Sequence, residues 1–111
     1  MIHKMKLRPE PFSAISSGMK TFELRLFDEK RRAIKIGDTI EFTNTENGEC
    51  LTRRVIALHL FASFEELYRT LPLDKCGYTK ESAASASAED MNIYYSPEEQ
   101  AKLGVLAIEL E

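Results

Sequence analysis

Three charged side chains lie close together in the sequence and could share one ligand: Lys20, Glu23 and Arg25. Residues 21–26 alternate polar and apolar side chains, which is the period of a half-buried β-strand. Side chains two apart on a strand lie about 6.5 Å from each other, so Glu23 and Arg25 can contact the same molecule. A carboxylate acceptor beside a guanidinium donor fork suits a polar, planar ligand.

Each of these residues also has an ordinary structural interpretation. Glu23 and Arg25 could form an ion pair on a solvated strand face, an arrangement that contributes little to stability. Lys20 could extend its stem along apolar surface at the start of the strand and keep its amine in water. In a cleft, by contrast, a partly desolvated lysine can act as a base or a nucleophile. The residues alone leave these alternatives open.

The chain before this strand predicts the elements that position it. Met5 and Leu7 alternate with charged residues, as in a short strand at a sheet edge. A helix of about two turns should follow, with Pro11 in its first turn, an apolar stripe from Phe12 to Met19, and Gly18 in the left-handed conformation near its end.

After the strand, we expect a charged loop over residues 28–32 and further strands around residues 39–43, 49–60 and 105–110. Ser63 and Ser96 are predicted N-caps of two short helices. The pattern fades between residues 73 and 90, and we expect this part to lie over the mouth of a barrel. Strands outnumber helices, which favours an α+β barrel over a doubly wound sheet.

Composition limits the classes of protein that this chain can belong to. Its 111 residues, 43% of them apolar, predict one domain with its own core. No apolar run approaches the roughly 18 residues of a membrane helix, and the N-terminus lacks the apolar region of a secretory signal. Cys50 and Cys76 are far apart in the sequence, so we expect reduced thiols and a cytoplasmic location.

The charge is uneven along the chain. The net charge of −3 argues against a generic, charge-driven nucleic-acid binder. Residues 1–56, however, carry 11 Lys/Arg against 8 Asp/Glu, whereas residues 57–111 carry 4 against 10. A basic first half could therefore contact phosphates.

The spacing Gly18-x-Lys20-x-x-Glu23-x-Arg25 resembles the G-x-K-x-x-E-x-R signature of the ASCH domain family. Residues 7–12, 35–42, 94–99 and 104–109 are also similar to small bacterial members, so the resemblance covers nearly the whole chain. It implies a PUA-like fold, in which a mixed β-barrel has short helices packed at its ends, and a single domain over residues 1–111.

Some small ASCH proteins are amidohydrolases that remove the acyl group from N4-acylated cytidine. They use a lysine, a threonine on the signature strand and an acid after the next helix. The resemblance implies Lys20 as the lysine and Asp74 as the nearest match to the acid. Glu23 stands at the threonine position, so the hydroxyl nucleophile is missing, and Thr21 cannot be assumed to replace it.

Other members are described as RNA-binding modules, and some as ribonucleases. A ribonuclease would take its acid–base pair from Lys20, Glu23 and His59, although His59 in an apolar strand is typical of a structural histidine. RNA binding would need cations for phosphate and tyrosines in irregular segments for base stacking, unless those tyrosines simply pack the loop. The candidates are Arg25, Lys30, Arg31, Arg32, Arg53 and Arg54 for phosphate, and Tyr78, Tyr94 and Tyr95 for stacking.

We therefore expect a cleft that binds RNA or a modified, nucleoside-like ligand, with amide hydrolysis or RNA cleavage as the alternatives. No metal site is expected, because the two histidines are far apart and no cysteine stands near them at ligand spacing. No cofactor is expected either, because the sequence has no Gly-rich phosphate loop and no dinucleotide fingerprint. The predicted ligand contacts are Lys20, Glu23, Arg25, Arg31, Arg32 and Tyr78, and the predicted catalytic groups are Lys20, Glu23 and Asp74.

Overall fold

A computed structural model describes residues 1–111 and contains one five-stranded sheet. The strands are β1 (Ile2–Leu7), β2 (Phe22–Leu26), β3 (Thr39–Asn44), β4 (Cys50–Phe61) and β5 (Val105–Leu110). Their order in the sheet is β1-β3-β4-β5-β2. β1 pairs with β3 in parallel, and the other neighbours are antiparallel. The two strands that precede and follow the first helix are therefore the two edges of the sheet.

Both faces of the curled sheet are covered by apolar side chains, because each face packs against a different layer. β5 shows this most clearly, since its residues from Val105 to Ile108 are all fully buried. Leu106 and Ile108 join the cluster inside the half-barrel, whereas Val105 and Ala107 join a second cluster on the outer face. The alternation of side chains in β5 and its neighbours thus separates an interior core from an outer core.

Short helices pack around the sheet, and local capping signals fix where they begin. The Ser63 hydroxyl accepts from the Glu66 N–H, and Ser96 and Glu99 form a reciprocal capping box. The helices are α1 (Pro9–Ser16), α2 (Glu29–Arg32), α3 (Phe64–Thr70), α4 (Lys80–Ala83) and α5 (Pro97–Leu103), with 3₁₀ turns at Leu73–Lys75 and Ala88–Ile93. None of these helices is long and apolar enough to cross a membrane.

The predicted α+β class is confirmed, and two local expectations are wrong. The expected loop after β2 contains the short helix α2, because Asp28 accepts from the Arg31 N–H and caps it. Met19, expected in the apolar stripe of α1, is 63% exposed. The helix has already ended at Ser16, and Gly18, with φ of +83°, turns the chain toward β2.

Candidate functional site

Glu23 lies at the centre of a buried ion-pair network at the edge strand β2. In the β2–β5 register it stands opposite Ile108, on the interior face of the half-barrel. Lys20 Nζ is 2.8 Å from its Oε1, and Arg25 Nε donates to its Oε2 at 2.7 Å. Each carboxylate oxygen therefore has one cationic partner. The interpretation of Glu23 and Arg25 as an ion pair on a solvated strand face is excluded.

Main-chain contacts place the two cations on either side of this carboxylate. Lys20 lies before β2 begins, where its N–H donates to the Ala14 carbonyl of α1. Its stem runs beside Gly77, so that a Cβ added there would lie 3.7 Å from the lysine Cδ. Arg25 Nη2 donates to the Lys6 carbonyl of β1 at 3.2 Å. The network thus joins α1, β2, the edge of β1 and the loop around Gly77.

The electrostatics of the network keep Glu23 charged. Burial alone would raise the pKa of Glu23, but the Coulombic and hydrogen-bond contributions of Lys20 and Arg25 outweigh it and hold the pKa below its ordinary value of 4.5. The side chains of Lys20, Glu23 and Arg25 are only 10%, 4% and 16% exposed. At neutral pH the carboxylate of Glu23 is therefore ionised. It compensates the positive charges of Lys20 and Arg25, which would otherwise be costly to bury.

A cavity of about 680 Å³ opens beside this network, and tyrosine side chains form part of its lining. All four tyrosines of the chain line it: Tyr68, Tyr78, Tyr94 and Tyr95. α1 contributes another part of the wall, and the segment around residues 90–95 covers it. The cavity thus combines polar groups near β2 with aromatic rings, as ligand sites commonly do.

The tyrosines are held by specific contacts. The hydroxyls of Tyr68 and Tyr78 lie 2.7 Å apart, and Tyr78 donates to Asp90 at 2.8 Å. Burial, followed by these hydrogen bonds, raises the pKa of Tyr78, so its hydroxyl stays protonated as a donor. The ring of Tyr95 stacks on Phe64 with centroids 6.1 Å apart. Tyr94, in contrast, is 57% exposed and presents its ring to solvent.

A second, smaller concavity adjoins the cavity, and we call it the basic groove. It has a volume of about 400 Å³ and no acidic residue in its lining. Five of its seven lining residues are cationic: Lys4, Lys6, Arg25, Lys30 and Arg31. Lys6 and Arg25 line the cavity as well as the groove. The two concavities therefore share part of their lining.

The structure brings only some of the predicted site residues together. Lys20, Glu23, Arg25 and Tyr78 line the cavity, and Arg31 lines the basic groove. Two predicted residues line neither concavity. Arg32 places its guanidinium over the ring of Phe27, 5.2 Å from the centroid, and Asp74 lies on the 3₁₀ turn after α3.

Other charged candidates have structural partners elsewhere. Arg53 donates to the carbonyls of Ile15 and Ser16 at the end of α1. Arg54 forms an exposed ion pair with the Glu111 carboxylate. His59 Nε2 lies 2.8 Å from Glu109 Oε1 on the neighbouring strand, in agreement with a hydrogen-bonded, structural histidine.

Sequence reasoning missed several residues of the cavity and its border. Lys6 has a usable signal, because it alternates with buried residues on β1. Asp90 also has one, since Ser87-x-x-Asp90 has the spacing of a capping box. Tyr68 has none beyond its place on the amphipathic helix α3. Cys76 lines the cavity as well, and burial raises the pKa of its thiol to about 11.

No group of three or more His, Cys, Asp or Glu side chains could hold a metal ion.

The fold and the site together define a PUA-like half-barrel with a polar, tyrosine-lined cleft at its edge. The model of the ASCH domain matches residues 5–111, and the chain belongs to this family.

Solved structures with the same fold agree with this assignment. The hypothetical protein PH0355, known from a crystal structure, is 33% identical with a TM-score of 0.80, and the match covers 100% of this chain and 98% of that one. Protein PF0455 from Pyrococcus furiosus, solved by NMR, is 35% identical with a TM-score of 0.73, covering 100% and 96%. ASCH from Zymomonas mobilis shares the fold at 20% identity, with a TM-score of 0.63 and coverage of 99% and 66%. No functionally curated protein matches the chain significantly.

Proposed function

We propose that this ASCH domain binds RNA or a nucleoside-like ligand in the tyrosine-lined cavity. One observation carries the proposal: the buried Lys20–Glu23–Arg25 network lies at a cavity that all four tyrosines line. A volume of about 680 Å³ is within the range of small-molecule sites. Membership of the ASCH family, whose members are generally proposed to bind RNA, supports the same class of ligand.

The network offers the ligand hydrogen-bond donors. Glu23 has one cation on each oxygen and is almost completely buried, so it orients Lys20 and Arg25 instead of contacting a base edge directly. Arg25 uses its Nε and one Nη2 hydrogen within the protein, and a guanidinium has five N–H donors in all. The remaining donors of Lys20 and Arg25 suit a carbonyl or phosphate oxygen of the ligand.

The tyrosines offer the ligand flat apolar surface. Tyr94 is exposed beside Tyr95, with ring centroids 6.5 Å apart and planes tilted by 54°. Stacking of a base on an aromatic ring stabilises single-stranded RNA complexes by about 1–3 kcal/mol per base and tolerates different bases. Stacking on the tyrosines and hydrogen bonds from Lys20 and Arg25 together suit a ligand that has a planar base and carbonyl or phosphate oxygens.

Amide hydrolysis of N4-acylated cytidine is the alternative, and the lining of the cavity argues against it. No Ser or Thr side chain lines the cavity, so the only hydroxyls are phenols. The Cys76 thiol, with its pKa near 11, is a poor nucleophile at neutral pH. Cleavage of RNA would have no histidine as its general acid or base, because none lines the cavity. Binding is therefore the function that these residues support best.

The test is to combine the purified protein with a short mixed-sequence RNA, the free ribonucleosides and N4-acetylcytidine. Calorimetry measures binding, and mass spectrometry of the same samples measures turnover. We expect binding without turnover, and weaker binding by Lys20→Ala than by Lys102→Ala, which removes an exposed amine that lines neither concavity. Release of acetate, or shortened RNA, that disappears in Lys20→Ala would replace the binding proposal by an enzymatic one.

The cytoplasm is the compartment that we assign as part of this proposal. Cys50 and Cys76 are both free thiols, one exposed and one buried. Thiols of this kind stay reduced in the cytoplasm, where RNA and nucleosides are also present.

A further inference from the structure

The basic groove lies at the open seam of the half-barrel, where β1 and β2 are the two edges of the sheet. Two side chains reach across to carbonyl groups of β1. Arg25 Nη2 donates to the Lys6 carbonyl at 3.2 Å, and Lys30 Nζ donates to the Lys4 carbonyl at 3.1 Å. These bonds hold two cations at the edge strand β1, whose residues Lys4 and Lys6 also line the groove.

The positive charge in the groove is only partly compensated within the protein. None of its seven lining residues is acidic, although five are cationic. Asp28 pairs with Arg31, but it engages only Nη1, at 3.0 Å. Nε of Arg31 is buried and has no hydrogen-bond partner. A buried donor without an acceptor is destabilising. An anionic oxygen of a ligand would supply the missing acceptor once the guanidinium of Arg31 turns toward it.

We propose that the basic groove is a phosphate subsite for a ligand whose base lies in the cavity. This inference rests on the proposed function and narrows it to a nucleotide or an RNA strand, in preference to a free nucleoside. Lys6 and Arg25 line both concavities, so a sugar at this border carries its phosphate directly into the groove. Arg25 then contacts the phosphate with the donors that Glu23 and the Lys6 carbonyl leave free.

Phosphate fits the groove better than a neutral group does. Several cations held close together repel one another, and a dianion relieves this repulsion while accepting several hydrogen bonds. The net charge of the whole chain is −3, so attraction of an anion depends on this local concentration of cations. Contacts of this kind fix the register of a nucleic-acid ligand, whereas the cavity holds its base.

The test compares ligands that differ only in phosphate: a ribonucleoside, its 5′-monophosphate, its 3′-monophosphate and a tetranucleotide of the same base. Calorimetry at low salt gives the affinity of each for the wild type. The groove variant is Lys4→Gln with Lys30→Gln, since both residues line the groove and neither lines the cavity. The control is Lys35→Gln with Lys102→Gln, which removes the same charge from exposed residues that line neither concavity.

We expect the phosphorylated ligands to bind wild type about 10 to 100 times more tightly than the nucleoside, the effect of one or two charged hydrogen bonds. The groove variant should lower this affinity ratio severalfold, because two of the five cations of the groove are lost while Arg25 remains, and the control should leave the ratio unchanged. Tight binding of a monophosphate identifies a nucleotide ligand, and tight binding of the tetranucleotide alone identifies RNA.

Two negative outcomes have different meanings. Equal affinity for nucleoside and phosphorylated ligands would overturn the phosphate subsite and leave the proposed function standing. An affinity ratio that falls equally in the groove and control variants would also overturn it, because the effect would then be one of net charge. Absence of binding by every ligand would overturn the proposed function and the subsite together.

Discussion

Glu23 and Arg25, two residues apart on an edge strand, contact each other at 2.7 Å inside the half-barrel. Both side chains are largely buried although they are charged. Lys20 completes the contact from the chain that leads into the strand. A single buried carboxylate thereby holds two cations, of which Lys20 lines the cavity and Arg25 lines both the cavity and the basic groove.

Glu23→Gln should destabilise the fold strongly, because it leaves two nearly buried cations without their counter-charge. The expected loss in free energy of unfolding is about 3 kcal/mol, measured by urea denaturation. Glu65→Gln is the matched control, since its exposed pair with Arg69 has an N–O distance of 3.6 Å and should change stability by less than about 0.5 kcal/mol. Equal stability of the two variants would contradict a buried network.

Asp38 should contribute to stability in a pH-dependent way. A hydrogen bond from His3 at 2.8 Å, followed by one from the Lys35 N–H, lowers the pKa of Asp38 from 3.8 to about 2. Because the folded-state pKa is lowered, the stabilisation is fully present well above pH 3.8 and is lost as the pH falls toward 2.

The stability difference between wild type and Asp38→Asn, measured by denaturation across this range, should therefore shrink as the pH falls from 3.8 toward 2. Glu41→Gln, on the strand β3 that Asp38 directly precedes, serves as the control for loss of one carboxylate. A difference between wild type and Asp38→Asn that stays the same down to pH 2 would show that the carboxylate is not held by these contacts.

The two thiols should react at very different rates. Cys50 is exposed, whereas Cys76 is buried in the cavity wall with its pKa raised by burial to about 11. Since the thiolate is the reactive species, iodoacetamide at neutral pH should modify Cys50 and spare Cys76 in the folded protein. Mass spectrometry of wild type and Cys50→Ser, folded and in urea, measures this. Rapid modification of Cys76 in folded Cys50→Ser would contradict its placement.

Local signals were enough to predict the strands and the starts of α3 and α5. The serine caps at residues 63 and 96 depend on neighbours within three residues, and the alternation in β2 depends on the strand alone. The resemblance of the signature residues to the ASCH family added the PUA-like fold, which the structure shows as a half-barrel with short helices.

The surroundings of the site could not be predicted in the same way. Alternation shows that Glu23 and Leu24 face opposite sides, but both sides are covered here, by the interior and outer cores. The segment after α3 has no periodicity, because long-range contacts such as that between Tyr78 and Asp90 determine its course. A surface ion pair and a buried network therefore look the same in the sequence.

Because all four tyrosines line the cavity, tyrosine ring signals report on the proposed site directly. The most direct test is an NMR titration of protein with ¹³C-labelled tyrosine and phenylalanine rings, using the RNA, nucleotides and nucleosides above. We expect saturable shifts of the tyrosine signals and little change at Phe42, which is fully buried in the interior core, with weaker binding in Arg25→Gln. Tyrosine signals that do not move with any of these ligands would contradict ligand binding in this cavity.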